Sequence, residues 1–212
     1  MKDIPMFTTE YGIASLVLKE IPYRQIAYVK IRTLEEGKLR ELLDECVGFC
    51  RAAGAERVYA SGEGDWEEYP IFNSILVMSG PGNLTAEGSL WPVTEETVGS
   101  WRKIYNEKMK DVDNSGTLTA YDEKELLAAC GAYFVHDGGN LLGIGWVEQG
   151  KLICVASVIS GMGAKVVKTL LSAQTSDRVE LEVASTNLRA IRLYEKLGFV
   201  RIREQTRWYR VY

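Results

Sequence analysis

The chain of 212 residues contains one histidine, His136. That single imidazole excludes most His-dependent catalytic triads and the His-rich metal centres. Cysteine is also sparse. Cys46, Cys50, Cys130 and Cys154 form no CxxC pair and no zinc-type spacing. Cys46 and Cys50 stand four apart in a helical stretch, so they are expected to share one helix face rather than to bridge. No apolar run approaches the length of a membrane span, and no signal-peptide pattern opens the chain. Positive charge is not in excess either. The formal charge of −4 argues against nucleic acid as a partner. The densest basic group, Arg201, Arg203, Arg207 and Arg210, reads either as a local patch or as a solvated strand face. These absences lead to the expectation of a reduced, cytoplasmic, soluble protein with no membrane and no nucleic-acid partner.

The apolar fraction of 46% and the charged fraction of 25% are those of an ordinary globular chain able to bury a core. Strand-like segments over 13–19 and 25–33, with a turn at Pro22, precede an amphipathic helix over 35–53. Its apolar positions are Leu39, Leu42, Leu43, Val47 and Phe49, and Gly54 stands where a C-capping glycine belongs. Strands over 56–60 and 71–78 follow. The Gly- and Pro-containing stretch 79–88 reads as a loop and a boundary. Thr94 is placed to cap a helix running to about 110, with Glu95 and Glu96 in its first turn. Asp122 is placed to cap the next helix. Strands over 132–136, 141–147 and 152–158 are punctuated by Asp137-Gly138-Gly139-Asn140 and by Gly150. A helix over 164–173, a strand over 179–183, a helix over 187–197 and strands over 199–203 and 207–211 complete the chain. The order from Leu90 onward is β-α-α-β-β-β-α-β-α-β-β.

The block from Val179 to Phe199, VELEVASTNLRAIRLYEKLGF, carries the most specific pattern. Helical periodicity sets Ala190, Ile191, Leu193, Tyr194 and Leu197 on one side and Arg189, Arg192, Glu195 and Lys196 on the other. Gly198 suits a helix end. Strand alternation separates Val179, Leu181 and Val183 from Glu180 and Glu182. Tyr194 reads as a core tyrosine whose hydroxyl needs a partner. Asn187 reads as a helix N-cap.

With the element order from Leu90, this block resembles the GNAT acyltransferases: a strand ending in Glu-Val, then Asn, then Leu-Tyr-Glu-Lys-Leu-Gly-Phe. The resemblance implies an α/β (α+β) fold with a mixed, mostly antiparallel sheet flanked by helices. It implies acetyl-coenzyme A as cofactor and transfer of its acetyl group to a primary amine, on a small molecule or a peptide, by direct attack. Tyr194 would protonate the departing thiolate. A phenol of pKa ~10 donates to a thiolate of pKa ~8.5 only with help from geometry. Glu182 holds the position of the general base in similar ribosomal-protein N-acetyltransferases, at the same spacing from the Tyr. Asn187 would contact coenzyme A.

The family's pyrophosphate loop, Arg/Gln-x-x-Gly-x-Gly/Ala, works through backbone N–H groups and a helix N-terminus. Here the candidate is Ser160-Gly161-Met162-Gly163-Ala164-Lys165. In one register Ser160 replaces the Arg/Gln; in the other Val158 does. Lys165 is available to supply charge. Backbone groups of Val155, Ser157 and Val158 are expected to help hold the cofactor. The irregular loop keeps open a second reading, a GNAT-like sensor that binds acyl-coenzyme A without turnover.

A third reading rests on 111–122. Asp111, Asp113, Ser115 and Gly116 follow the spacing of a calcium-binding EF-hand loop, but Asp122 stands where a bidentate Glu is usual and no second loop is present. A polar turn between two helices is the alternative, and no metal site is assigned. Residues 1–82 read as an accessory domain, as a partial GNAT-like copy without the loop and the Tyr helix, or as a dimerisation module. Residues 88–212 read as the acetyltransferase domain, in a monomer or a homodimer.

Overall fold

A computed structural model describes residues 2–212. The chain divides into two compact units, Met1–Ile75 with Glu204–Tyr212, and Leu76–Arg203.

The first unit opens with the hairpin β1 (Ile4–Thr9) and β2 (Gly12–Val17). A single turn of helix, α1 (Ile21–Arg24), holds Pro22 and leads to β3 (Ile26–Leu34). Helix α2 (Leu39–Ala52) then crosses to β4 (Arg57–Ser61) and on to β5 (Ile71–Pro81). The sheet order in this unit is β1-β2-β3-β4 followed by the end of the last strand. Strand β1 lies outside the strand segments read from sequence, because its alternation is broken by Pro5 and none of its residues is fully buried. Helix α2 starts four residues later than its periodicity suggests, since Gly37 adopts φ +73° and Lys38 N–H donates to Glu35 O in a turn. Leu39, Leu42, Leu43, Cys46 and Cys50 form the buried stripe. They pack on Leu16, Val29 and Val58. Phe49 is 40% exposed, because it lies about 80° from the centre of that stripe.

In the second unit, β6 (Ser89–Pro92) precedes α3 (Val98–Met109) and α4 (Asp122–Ala128). Then come β7 (Ala132–Asp137), β8 (Asn140–Glu148), β9 (Lys151–Ser157), α5 (Gly163–Leu171), β10 (Arg178–Ala184), α6 (Leu188–Lys196) and β11 (Val200–Arg210). The sheet order here is β5-β10-β9-β8-β7-β6, mixed but mostly antiparallel. The expected fold class is the one observed.

Local departures have local causes. The expected loop at 79–88 is strand as far as Pro81. Gly80 is there for proximity: a Cβ would stand 2.4 Å from the Phe199 ring. Thr94 does not cap α3. It closes a turn with Thr97, whose hydroxyl accepts from Thr94 N–H at 2.9 Å, and the helix begins at Val98. Asp122 is the first helical residue rather than the cap, and its carboxylate accepts from the N–H and hydroxyl of Thr119. The two expected C-terminal strands are one continuous strand, β11. Its polar middle, Glu204-Gln205-Thr206, contains no turn residue and extends with its side chains largely in solvent. The β7–β8 turn is as expected, with Gly138 and Gly139 at φ +55° and +81°.

Helix α5 packs Val166, Val167, Leu170 and Leu171 against the sheet. Gly145 on β8 admits it closely, since a Cβ there would fall 2.2 Å from Leu170 Cδ1. Helix α6 adds Ile191 and Tyr194 to the same cluster, beside Val179, Leu181, Val183 and Phe199. Helices α3 and α4 pack a separate cluster built on Trp101, Leu126, Ile144 and Ala156. Among the described residues, no helix is long and apolar enough to cross a membrane.

Candidate active site

Strands β9 and β10 run parallel but pair only at Glu180↔Lys151 and Leu181↔Leu152. The cause lies in β9. Trp146 of β8 faces Cys154, while the next β8 residue, Val147, faces Leu152. Ile153 is therefore an extra residue, a β-bulge, and a bulge bends its strand and interrupts pairing. It falls directly after the last residue that β9 shares with β10. Beyond it, residues 154–157 and 182–184 continue without pairing to each other.

The remaining edge of β9 has a defined polarity. Val158 N–H donates to Leu142 O, which fixes 154, 156 and 158 as the residues bonded to β8. By alternation, the N–H and C=O groups of Val155 and Ser157 point toward the gap. Val158, expected to offer its amide, has it committed to Leu142. The Ser157 hydroxyl donates to Ile159 O at 2.6 Å and shapes the start of the following loop.

That loop, Ser160-Gly161-Met162, turns through Gly161 at φ +84° into α5. No side chain caps α5 and its first turn holds no acid. The N–H groups of Gly163, Ala164 and Lys165 have no partner among the described residues. They are the orphan donors of a helix start, aimed away from the helix. The Lys165 ammonium is held by Asp137 of the β7–β8 turn, so its charge is already paired.

Tyr194 lies in the second turn of α6 and is buried, tilted against Phe199 at 5.8 Å between ring centroids. Burial first, and the nearby Cys154 second, push the phenol well above its ordinary pKa. At neutral pH it is a hydroxyl that donates. Cys154 itself is pushed up to about 12, chiefly by desolvation, and is an unreactive thiol. Sequence reasoning missed Cys154 and the Ile153 bulge, because neither belongs to a motif and only strand pairing places them beside Tyr194 and the gap.

Glu182 is exposed on β10, on the opposite face from Val179, Leu181 and Val183, whose cluster includes Tyr194. Asn187 caps α6, its side-chain oxygen accepting from Ala190 N–H at 3.1 Å. One residue earlier, the Thr186 hydroxyl donates to Asp113 at 2.7 Å, which ties the start of α6 to the loop between α3 and α4. That loop is the calcium-like stretch, and several of its oxygens are already engaged. Asp113 serves Thr186, Asp122 serves Thr119, and the Ser115 hydroxyl donates to backbone oxygens of Met109 and Val112. Among the described residues, no group of three or more His, Cys, Asp or Glu is placed to hold a metal ion. Trp146, opposite Cys154, keeps a buried indole N–H without a partner among the described residues.

The donor set suits an extended ligand with an amide-bearing arm and a phosphate end. Strand-edge groups of Val155 and Ser157 can pair with amides, the free N–H groups of α5 suit an anion, and Tyr194 offers one proton near the parting of the strands.

Comparison with known proteins gives a consistent picture. The family model described as acetyltransferase (GNAT) matches residues 85–199. No curated protein matches the chain. Among solved structures, a GCN5-related N-acetyltransferase from Sphaerobacter thermophilus is 13% identical, with 93% of this chain and 75% of that one covered and a TM-score of 0.54. A GNAT-family acetyltransferase from Colwellia psychrerythraea is 11% identical over 97% and 84% of the two chains, with a TM-score of 0.55. A GCN5-related N-acetyltransferase from Anabaena variabilis is 11% identical over 94% and 59%, with a TM-score of 0.58.

Proposed function

The chain belongs to the acetyltransferase (GNAT) family, and on that premise we propose that it is an acetyl-coenzyme A-dependent N-acyltransferase acting on a primary amine. The observation that carries this reading is the gap opened by the Ile153 bulge between β9 and β10, bordered by Tyr194. Bound acetyl-coenzyme A supplies a thioester whose acetyl group an amine can attack. Val155 and Ser157 orient its pantetheine amides through their gap-facing backbone groups, and the α5 start with Gly161–Lys165 receives its pyrophosphate. Glu182 and Tyr194 approach from opposite faces of β10. Glu182 accepts the proton of the incoming ammonium, directly or through water, and Tyr194 delivers its proton to the departing sulfur. Because burial keeps Tyr194 protonated across the neutral range, its contribution does not decline between pH 6 and 9. Residues 1–82 serve in this reading as an accessory, GNAT-like copy without cofactor.

The test pairs binding with turnover. Wild-type protein is expected to bind coenzyme A by calorimetry and to release free thiol from acetyl-coenzyme A when given a panel of amines. Tyr194→Phe should lower kcat by about 100-fold while leaving coenzyme A affinity within about twofold. Binding without turnover on any amine would assign a sensor instead. No binding at millimolar coenzyme A would remove both readings.

A further inference from the structure

The loop preceding α5 brings no free cation to the phosphates it would receive. Ser160 is neutral, Lys165 is held by Asp137, and Lys168 is held by Glu87 at 2.6 Å. The neighbouring helix does have one. Helices α5 and α6 begin after the parallel strands β9 and β10, at the same end of the sheet, and pack on one cluster. Leu193 Cδ2 lies 3.1 Å from where Gly163 would carry a Cβ, so the first residue of α5 is level with Leu193. Arg189 precedes Leu193 by four residues, which places it roughly 6 Å further toward the helix start and about 40° away around the axis. It therefore stands beyond the first turn of α5, on the side toward which the unpaired N–H groups point. Arg189 is exposed and makes no ion pair among the described residues. The acid on its own helix, Glu195, already accepts from Arg201. Arg192 is turned about 100° from Leu193, and Lys196 lies roughly 4.5 Å in the other direction, alongside α5 rather than beyond it.

We propose that Arg189 supplies, from α6, the cationic contact to the pyrophosphate of coenzyme A that the loop lacks. The assignment rests on the reading of the chain as a coenzyme A binder. Its chemistry is a guanidinium meeting phosphate oxygens that are also held by backbone N–H groups, an arrangement in which each charge-assisted bond contributes strongly.

The experiment is isothermal titration of wild type, Arg189→Gln, Arg189→Lys and Lys165→Gln with coenzyme A and with dephospho-coenzyme A, accompanied by thermal melts. Arg189→Gln is expected to weaken both ligands equally, by about 10-fold, with an unchanged melting temperature. Arg189→Lys should recover part of the loss, and Lys165→Gln should lose less affinity than Arg189→Gln. The proposal is overturned if Arg189→Gln binds within twofold of wild type, if Lys165→Gln shows the larger loss, or if only coenzyme A and not its dephospho form is affected, which would move the contact to the 3′-phosphate. Wild type binding neither ligand would instead overturn the functional reading, and this assignment with it.

Discussion

A similar run of elements occurs twice in this chain, and the two runs differ most at one place. Strands β1-β2-β3, helix α2 and strand β4 repeat the order of β7-β8-β9, α5 and β10, with two antiparallel pairings and then a parallel one. In the first run, β3 and β4 pair over five residues, Ile26–Lys30 with Arg57–Ser61. In the second, β9 and β10 pair over two. Both middle strands carry a bulge, at Arg32 in β3 and at Ile153 in β9. In β3 it comes after the whole of β4 has been used, and Gly62 then lies tight against Ile31, where a Cβ would meet its carbonyl oxygen at 2.7 Å. In β9 it comes near the strand start, and the rest of both strands separates. The helices differ in the same sense. The approach to α2 carries Glu35 and Glu36 and its first turn Glu41, which repel an anion, while the first turn of α5 has no acid. One copy of the plan is closed and the other is open, and the position of a single extra residue is the main cause.

The strongest way to break the comparison is to delete Ile153. Without the extra residue β9 can stay in register beside β10, as β3 does beside β4, and the gap closes. Coenzyme A affinity should fall by about 100-fold or more in protein that keeps its far-ultraviolet dichroism. Deleting Arg32 should leave affinity within twofold. Equal affinity in the two deletions would show that the bulge does not make the site.

A second contrast concerns how each helix meets its sheet. Gly145→Ala forces a methyl into Leu170 and should lower stability by about 1–3 kcal/mol in urea unfolding. Gly48, exposed in the middle of α2, has nothing within 4 Å of a Cβ. Gly48→Ala should raise stability by about 0.5–1 kcal/mol. A neutral Gly145→Ala would mean that α5 can shift from the sheet without cost.

The smallest effect sharpens what the copies share. Both shield thiols: the buried Cys46 is pushed up to about 12 and Cys50 to about 11, mainly by desolvation, and the half-buried Cys154 to about 12. The folded state holds these protons more tightly than the unfolded chain. Their stabilisation is therefore complete below a pH of about 8 and is lost as the pH rises toward 11–12, on the order of 1 kcal/mol per thiol by pH 9. Native protein at pH 8 should label with a thiol reagent at the exposed Cys130 alone. Rapid labelling of Cys154 would show that its cover opens freely.

The sequence by itself determined what periodicity and turn chemistry can express. The stripes of α2 and α6, the Gly138-Gly139 hairpin, the Asn187 cap and the burial of Tyr194 follow from local spacing, and the last block, 179–199, also carries the resemblance to the family. The middle of β11 and the end of β5 were not legible, since a polar strand and a glycine under an aromatic ring look like loop until their neighbours are known. Tertiary structure alone decided the site. Whether two strands part depends on the register between β8, β9 and β10, which no single segment encodes. Whether a lysine is free depends on an aspartate 28 residues away in another turn. Ile153 is an unremarkable strand residue in sequence, and becomes the residue that opens the gap only because Trp146 and Val147 leave it without a partner.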